Sequence, residues 1–383
     1  MSSRWLVVVL LGGCELFANI PDYTATNLDG GSSSDADGSI DAMAECVMST
    51  QCTAPEICVE GECRLCDRDA HCGPAAENVC LPDGRCAALE RIAYAAPNVS
   101  GGACSFGAPC TIEQAFATAA GSPAIDIVKL GAGTYMRAEA ITTTDTVILA
   151  GEGATMMTAA AIPLLHVQTG GSLTVVGLSL VGDLQQYNGL CFGATGTPST
   201  LAYFRVVSTM GAYGIGGFSC TIDVRRSTIT QQSQIGAYIS GGSAEFVNSA
   251  ILGSSNGGVF LNGTVARVEH STIAGNASAG ETAAGITCGN ATETIVSSIF
   301  WGNTGNTAID PACAIDYSVV DPAYVGGTQN LRVDPVFLAA GDFHLQATSP
   351  ARGAASPASA LTVDFDNQAR PQGAADCGAD QVP

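Results

Sequence analysis

A short pattern that occurs four times between residues 222 and 303 limits the folds open to this chain. Aligning the copies gives three columns of equivalent residues. The first column is Ser227, Ser249, Ser271 and Ser298. The second, two residues later, is Ile229, Ile251, Ile273 and Phe300, to which looser copies add Leu180 and Met210. The third, three residues before the serine, is Val224, Phe246, Val268 and Ile295. A period of roughly 19 to 30 residues is typical of stacked coils.

Each copy predicts a strand followed by a tight connection. Its first four or five residues alternate between apolar and polar, as in a strand with one buried face. The connections at 253–258 and 302–306 are short and rich in glycine, asparagine and serine, which leaves no room for a helix. Parallel stacking of such coils is a β-solenoid. A leucine-rich repeat has a similar period, but its leucine spacing is absent.

Composition agrees with thin coils and argues against one class of partner. The chain has 383 residues, enough for two or three domains, with 46 glycines and 6% aromatic residues. The net charge of −21 comes from 35 acids against 14 bases, and Lys129 is the single lysine. Such a chain repels polyanions. We therefore expect no nucleic acid partner, and no bare polyuronate unless calcium bridges it.

The N-terminal sequence predicts an export signal. An apolar run over residues 5–11 follows Arg4 and is too short to span a membrane, and Leu11 and two glycines precede Cys14. This stretch resembles the lipobox of bacterial lipoproteins, which implies a signal peptide over residues 1–13 and lipidation of Cys14. An ordinary secretory signal is the alternative. Acylation would anchor the protein to the cell envelope, at the outer membrane or cell surface.

Residues 14–44 predict a disordered acidic tether, because they contain almost nothing that a core could bury. Asp35, Asp37 and Gly38 invite comparison with a calcium loop, but the glycine spacing and terminal glutamate of an EF-hand are missing. No cofactor is expected, and calcium has no specific support.

Residues 45–88 hold a cysteine-rich module. Its cysteines are Cys46, Cys52, Cys58, Cys63, Cys66, Cys72, Cys80 and Cys86. They form two units of four with matching gaps, and so small a module needs cross-links to fold. Cys63 and Cys66 have the spacing of half a zinc site, yet export favours four disulfides, whose pairing stays open. The spacing is similar to that of small cysteine-rich modules in secreted proteins, including Dickkopf-like factors.

The solenoid is expected over residues 92–383, with a capping helix near its start. Thr111 and Gln114 have capping-box spacing at the head of the segment 111–120. One helical face of this segment is apolar and contains Ile112, Ala115, Phe116 and Ala119. Because uncapped coils aggregate, we expect this helix to cover the open end of the first coil.

Two sets of motifs resemble right-handed parallel β-helix proteins of the pectin-lyase-like superfamily. The opening set is Pro109-Cys-Thr-Ile112, Ala115, Ile127-Val-Lys-Leu130 and Gly133-Thr-Tyr135. The second set, within residues 331–383, is similar to the closing segment of bacterial surface β-helix proteins. It comprises Asp334-Pro-Val-Phe337, Asp342-Phe-His-Leu345, Ser349-Pro-Ala351, Asp364-Phe-Asp366, Arg370-Pro371 and Asp376-Cys-Gly-Ala-Asp380. The resemblance implies an all-β fold, a right-handed parallel β-helix. It does not select a function, because the superfamily includes lyases, hydrolases, esterases and members without a known reaction.

Further cysteines lie along the coils. Three pairs could form disulfides within or between coils: Cys104 with Cys110, Cys191 with Cys220, and Cys288 with Cys313. Cys377 is left over, and could pair elsewhere or stay buried as a small apolar residue.

The alternation also predicts an outward set of charged residues, which we call the charged face. It consists of Asp223, Arg225, Glu245, Arg267 and Glu269. Strands about 4.8 Å apart would place Asp223 beside Glu245, near the roughly 5 Å between the carboxyls of retaining glycosidases. The alternative is a ladder of ion pairs, in which every carboxylate is ionised and none has a raised pKa. We favour the ladder, which leaves the charged face as a candidate ligand surface without catalytic residues.

The histidines and known motifs give no reaction centre. His270 aligns with Arg226 and Asn248 at a bend and predicts a polar stack. His166 lies in an apolar strand and predicts a core position. His71 and His344 show no acidic cluster that would mark a metal site. The sequence lacks Gly-x-Ser-x-Gly, P-loop and His-Glu-x-x-His motifs.

Three functions follow from these observations. We favour a surface-anchored, non-catalytic β-helix that binds glycans or proteins, or serves in the envelope or in adhesion. A carbohydrate-active enzyme, either a polysaccharide lyase or a glycoside hydrolase, is the alternative that the resemblance implies. A passive envelope spacer is the third. A lyase would need a basic residue in a cleft beside acids that bind calcium, whereas Lys129 lies near the capped end.

Overall fold

The structure, a computed structural model, describes residue 46 and residues 48–280, 282–290 and 292–383. The predicted signal peptide, Cys14 and the acidic tether therefore lie outside the described residues. Within the described ranges, no helix has both the length and the apolar character needed to cross a membrane.

The described chain forms a parallel β-solenoid with strands numbered β1 to β28 in chain order. Its 15-stranded sheet has two branches, called here the first and third sheets, which are joined in the long strands β15 and β17, and its 9-stranded sheet is called the second sheet. The first sheet contains β3 (Ile92–Ala95), β4 (Ile127–Leu130), β7 (Thr146–Ala150), β10 (Ser172–Val176), β13 (Thr200–Phe204), the second parts of β15 (Tyr213–Arg225) and β17 (Ala237–Val247), β20 (Val265–Glu269), β24 (Thr292–Val296) and β27 (Ile315–Asp316). The second sheet contains β5 (Gly133–Arg137), β8 (Ala154–Thr158), β11 (Ser179–Val181), β14 (Val207–Thr209), β16 (Thr228–Thr230), β18 (Ala250–Leu252), β21 (Thr272–Ala274), β25 (Ile299–Trp301) and β28 (Val319–Val320). The third sheet contains β6 (Ile141–Thr143), β9 (Leu165–Val167), β12 (Tyr187–Phe192), the first parts of β15 and β17, β19 (Val259–Asn262) and β23 (Ile286–Gly289). A short extra pair is β22 (Ala277–Ser278) with β26 (Thr304–Gly305). The predicted all-β parallel solenoid is confirmed.

Equivalent side chains from successive coils fill the interior. Val224 pairs with Phe246 and Phe246 with Val268, and all three side chains are fully buried. The isoleucine column is confirmed from Ile229 to Phe300. Each strand thus buries one apolar face against the coils above and below, which supplies the main driving force for stacking.

Met210 does not belong to the isoleucine column, and this prediction was wrong. Ser208 is the residue that pairs with Ile229, whereas Met210 follows β14 with a φ of 60°. Ser208 imitates the serine of the repeat, but Val206 holds that position, because its amide donates to the Ser227 hydroxyl at 3.0 Å. A serine two residues out of place therefore shifted the alignment.

The serine column is a hydrogen-bonded ladder at the turn between the first and second sheets. The amides of Ser227, Ser249 and Ser271 donate to the hydroxyl of the serine one coil further on, at 3.3, 3.3 and 3.2 Å, the last acceptor being Ser298. A buried amide without a partner costs about 1–3 kcal/mol. The ladder satisfies the amides at a point where the turn breaks regular strand pairing.

The capping helix is confirmed as α1 (Ile112–Gly121). The Thr111 hydroxyl accepts a bond from the Gln114 amide, and the Gln114 side chain accepts one from the Thr111 amide, both at 3.3 Å. Ile112, Ala115 and Ala119 are buried in the same core as the first coils. The helix therefore covers apolar side chains that would otherwise end in water.

The cysteine-rich module contains an antiparallel hairpin and short turns of 3-10 helix. These elements are β1 (Ile57–Val59), β2 (Glu62–Arg64) and the 3-10 turns Ser49–Gln51 and Asp69–Cys72, and a third 3-10 turn, Leu89–Arg91, connects the module to β3. Four disulfides join Cys46 with Cys58, Cys52 with Cys63, Cys66 with Cys80, and Cys72 with Cys86. Each unit of four pairs first with third and second with fourth, and no bond crosses between units. The prediction of four disulfides is confirmed, and the structure supplies the pairing.

The module packs against the outer side of the first sheet. A single apolar cluster contains Val79, Leu81 and Ala87 of the module together with Ile92, Tyr94, Ile127, Ala150 and Val176 of the solenoid. Lys129 forms an ion pair with Asp69, and both side chains are at most 3% exposed. Asp69 also accepts the Cys80 amide at 2.8 Å. The strands β3 and β4 are consequently buried on both faces.

The remaining cysteines follow the predicted pairs. Disulfides join Cys104 with Cys110, Cys191 with Cys220, and Cys288 with Cys313. Among the described cysteines Cys377 alone has no disulfide partner, and burial raises the pKa of its thiol to about 12. It is a buried, unreactive thiol.

Residues 331–383 run along the side of the solenoid, against the bend that contains Arg226, Asn248 and His270. All three bend residues have φ between 45° and 48°, in the left-handed region, which turns their side chains toward the C-terminal segment. Arg226 donates to the Phe365 carbonyl at 2.9 Å and Asn248 to the Val363 carbonyl at 2.8 Å. The predicted polar stack is confirmed, and it serves as a docking surface for this segment.

Candidate functional site

The charged face has the register that the sequence predicted. Asp223 pairs with Glu245 and Glu245 with Arg267 across three consecutive coils of the first sheet. Arg225 and Glu269 belong to the neighbouring outward column, in which Val247 separates them. Two carboxyls thus lie side by side on adjacent strands, as both the catalytic and the ladder hypotheses require.

Arginines link the carboxylates of the charged face. Arg225 contacts Asp223 at 2.7 Å and Glu245 at 2.5 Å. Arg267 lies 3.8 Å from Glu245 and forms an ion pair with Glu269. Every acid of the charged face therefore has a basic partner, which is the arrangement expected of a ladder.

Asp223 differs from the expectation that no carboxyl of the charged face has a raised pKa. Burial raises its pKa above the ordinary value, although Arg225 opposes the shift. Loss of hydration disfavours the charged form, and the two hydrogen bonds from Arg225 only partly compensate. A raised pKa beside a second carboxyl is what an acid catalyst needs, so Asp223 keeps the enzymatic alternative open.

Glu269 is removed from any ligand. Its side chain is 7% exposed, whereas that of Glu245 is 41% exposed. The Ser359 hydroxyl of the C-terminal segment donates to Glu269 at 2.9 Å. Only four of the five predicted residues therefore line the accessible surface.

Ser359 also lies 2.9 Å from Nε2 of His270, the distance expected of a nucleophile and its base. The His270 Nδ1 donates to the Asp376 carbonyl at 3.0 Å, so Nδ1 carries the ring proton. Burial, and next the charge of Arg370, lower the pKa of His270 to about 3. So weak a base cannot activate a hydroxyl near neutral pH. The pair is a structural contact.

The other histidines correct two predictions. His166 points outward from β9, half-buried, with its ring 5.6 Å from the ring of Phe192, so its predicted core position is wrong. His344 does lie in an acidic cluster, since Nδ1 is 2.5 Å from Asp342 and Nε2 is 3.0 Å from Asp366. The prediction of no such cluster at His344 is therefore wrong.

The third sheet carries an unpredicted surface of aromatic rings, which we call the aromatic face. It consists of Tyr187, Phe192, Tyr213, Phe218, Tyr238 and Phe260. Three parallel ring pairs form it: Tyr187 with Tyr213 at 4.4 Å, Phe192 with Phe218 at 5.2 Å, and Tyr238 with Phe260 at 4.8 Å. Phe192 is 41% exposed and the other five rings are half-buried. Four consecutive coils thus contribute to one aromatic surface.

Two rows of rings meet at Tyr238. Its ring lies 6.0 Å from that of Tyr213 in one row and 5.8 Å from that of Phe218 in the other. Gly216 makes room for this packing, because a Cβ there would overlap the Tyr187 ring. Burial, followed by the neighbouring tyrosines, raises the pKa of Tyr187 to about 12, so its hydroxyl stays a hydrogen-bond donor at neutral pH.

A sequence signal for the aromatic face exists. Tyrosine and phenylalanine recur with the same spacing at 187 and 192 and again at 213 and 218. These positions pair in register between β12 and β15. The alignment of coils by the serine column did not extend to this sheet, so the repeat was missed.

Comparison with known proteins gives little beyond the fold. No protein-family model and no curated protein matches the chain. Among solved structures, the crystal structure of pectate lyase Pel9A is similar with 13% sequence identity and a TM-score of 0.42. The match covers 76% of this chain and 96% of the pectate lyase. A similarity this weak transfers no residue and no activity, so the fold rests on the strand pairing described above.

Proposed function

We propose that this protein is an exported, non-catalytic β-helix that binds a neutral glycan through the aromatic face. The observation that carries the proposal is the continuous surface of six rings on the third sheet. Exposed apolar patches on otherwise soluble proteins mark interaction sites. Aromatic rings pack against the C–H surfaces of sugars, and tyrosine hydroxyls can bond sugar hydroxyls at the rim.

Charge selects a neutral ligand over an acidic one. The net charge of −21 repels polyuronates and other polyanions. The arginines of the charged face are already engaged by Asp223, Glu245 and Glu269. They are not free to bind the carboxylates of an acidic polysaccharide.

Binding to immobilised polysaccharides tests this function. We expect retention on at least one neutral glycan and none on polygalacturonate. Phe192→Ala and Tyr238→Ala should weaken retention at least tenfold, because each removes a ring from the aromatic face. Phe106→Ala is the matched control, since Phe106 is 47% exposed but lies outside the aromatic face against Tyr94. Equal retention of all three variants would exclude the aromatic face.

A carbohydrate-active enzyme is the second candidate, favoured by the raised pKa of Asp223 beside Glu245. Incubation with neutral and acidic polysaccharides, followed by assay for new reducing ends and unsaturated products, distinguishes the two functions. We expect no turnover. Turnover that disappears in both Asp223→Asn and Glu245→Gln would instead make this pair catalytic.

The membrane anchor belongs to the same proposal and rests on the lipobox alone. Radiolabelled palmitate should enter the wild-type protein in a bacterial host that processes lipoproteins. Cys14→Ser should abolish the label and release the protein from the envelope. Continued labelling of this variant would remove the anchor from the proposal without affecting glycan binding.

A further inference from the structure

The acidic cluster around His344 has the composition of a metal site. A ring nitrogen of His344, a carboxylate oxygen of Asp366 and a carboxylate oxygen of Asp380 all lie within 4.8 Å of one another. The three residues come from separate stretches of residues 331–383. An imidazole nitrogen together with two carboxylate oxygens is a ligand set that binds Zn²⁺ and related transition ions.

The cluster is held in position before any ion binds. Asp342 accepts a hydrogen bond from the backbone amide of His344 at 3.0 Å and a second from the His344 Nδ1 at 2.5 Å. This carboxylate fixes the imidazole with Nε2 directed at Asp366, 3.0 Å away, as do the outer carboxylates of known histidine metal sites. Asp380 accepts the Leu345 amide at 2.7 Å and is buried, with 5% exposure. The His344 imidazole and the Asp380 carboxylate are therefore already oriented.

Distances and exposure suit a small ion with an open coordination position. Nε2 and the Asp366 carboxylate are 3.0 Å apart, close to the roughly 3.3 Å that separates two tetrahedral ligands about 2.0 Å from Zn²⁺. His344 and Asp366 are 33% and 39% exposed, so water can complete the coordination shell. Three carboxylates surround one imidazole here, with Arg370 as the nearby cation, and the negative charge that remains would favour binding of a divalent cation.

We propose that Nε2 of His344, Asp366 and Asp380 bind a divalent transition-metal ion of the Zn²⁺ class, with Asp342 as the positioning residue. The ion replaces the Nε2 proton, which passes to solvent. It cross-links the stretches around residues 344, 366 and 380. Calcium and magnesium are disfavoured, because an imidazole nitrogen is a poor ligand for hard cations that prefer oxygen.

Titration calorimetry with chelator-treated full-length protein under non-reducing conditions tests the site, using Zn²⁺ as the probe. We expect one tight Zn²⁺ site, no comparable Ca²⁺ or Mg²⁺ binding, and a Zn²⁺-dependent rise in the thermal unfolding midpoint. His344→Gln and Asp366→Asn should each weaken Zn²⁺ binding at least tenfold. Asp342→Asn should weaken it about 10–100-fold, as is usual for the partner of a metal-binding histidine.

His71→Gln is the matched control. His71 also pairs with an aspartate, Asp67 at 2.8 Å, but it belongs to none of the described three-residue groups that could hold a metal. The Zn²⁺ affinity of the His71→Gln variant should equal that of the wild type. If His344→Gln does not fold, Asp366→Asn decides, because its side chain is partly exposed. Absence of Zn²⁺ binding to the wild type, or unchanged affinity in the folded variants, would overturn the proposal.

Discussion

The outer side of the first sheet changes character halfway along the solenoid. One outward column begins with Ile92, Ile127 and Ile148 and continues, strand by strand, to Asp223 and Glu245. The isoleucines lie under or beside the cysteine-rich module, whereas the acids are partly exposed. One column can therefore be apolar or charged, depending on what covers it.

The neighbouring outward column shows the same change with basic residues. It contains Lys129 near its start and Arg225 later on. The Lys129 side chain is 3% exposed and bound to Asp69, while that of Arg225 is 39% exposed and bound to two acids. The two cations of this column thus form ion pairs in very different surroundings. Their contributions to the free energy of unfolding should differ accordingly.

Lys129→Met should have the largest effect on stability. The change leaves the buried Asp69 carboxylate without its counterion, a loss of about 3–5 kcal/mol in the free energy of unfolding. Arg225→Met in the same column is the matched control, with an expected loss of about 0–1 kcal/mol for each exposed pair. Urea denaturation measures both. Similar losses for the two variants would show that the buried ion pair contributes no more to stability than the exposed one.

Removal of one module disulfide should come next. The double change Cys72→Ser and Cys86→Ser should cost about 2–5 kcal/mol. Amide hydrogen exchange should rise in the module and in β3 and β4, which it covers, and stay unchanged in β20.

Mass spectrometry of the wild type should give a mass for residues 46–86 that is about 8 Da below the reduced value, one per oxidised cysteine. Free thiols and stoichiometric zinc in the wild-type module would contradict the disulfide assignment.

Acid should weaken the contact between His270 and the C-terminal segment. The folded pKa of His270 is about 3, below its ordinary 6.5, so the unfolded chain binds the extra proton. This contribution to stability is complete above pH 6.5 and is lost as the pH falls toward 3. Urea midpoints at pH 7 and pH 4 should therefore differ less in His270→Gln than in the wild type. An equal difference in both proteins would assign the acid sensitivity to other groups.

Glu245→Gln should have the smallest effect. Glu245 is partly exposed and shares Arg225 and Arg267 with other acids, so we expect a loss of at most about 1 kcal/mol. Thermal unfolding of this variant beside the wild type measures the loss. A cost of several kcal/mol would mean that the exposed half of the sheet depends on its ion pairs as much as the covered half.

The later coils were predictable because residues within each copy of the repeat determine its strand register. The serine of each copy fixes the turn, and the alternation before it fixes the inner face, so the pairing of Asp223 with Glu245 followed directly. The early coils were harder, since β3 and β4 are buried on both faces and show no alternation. Met210 was misplaced for a related reason, because Ser208 imitates the serine of the repeat.

The candidate sites depended on contacts that no short stretch contains. The aromatic face combines four coils of the third sheet, where the serine alignment gave no register. The His344 cluster brings together Asp342, Asp366 and Asp380 from an irregular segment without any repeat. Glu269 could not be recognised as buried, because its cover is Ser359 of the distant C-terminal segment.

The sequence by itself determined the stacked coils, the core columns, the capping helix and the presence of disulfides. Each of these follows from a repeated or adjacent set of residues that buries apolar surface or closes a short loop. Only the tertiary structure decided the disulfide pairing in the module, the covering of Ile127, and the partners of Asp69, Asp223 and His344. The physical reason is that a local period fixes which face of a strand points inward, whereas the environment of an outward side chain is set by distant segments.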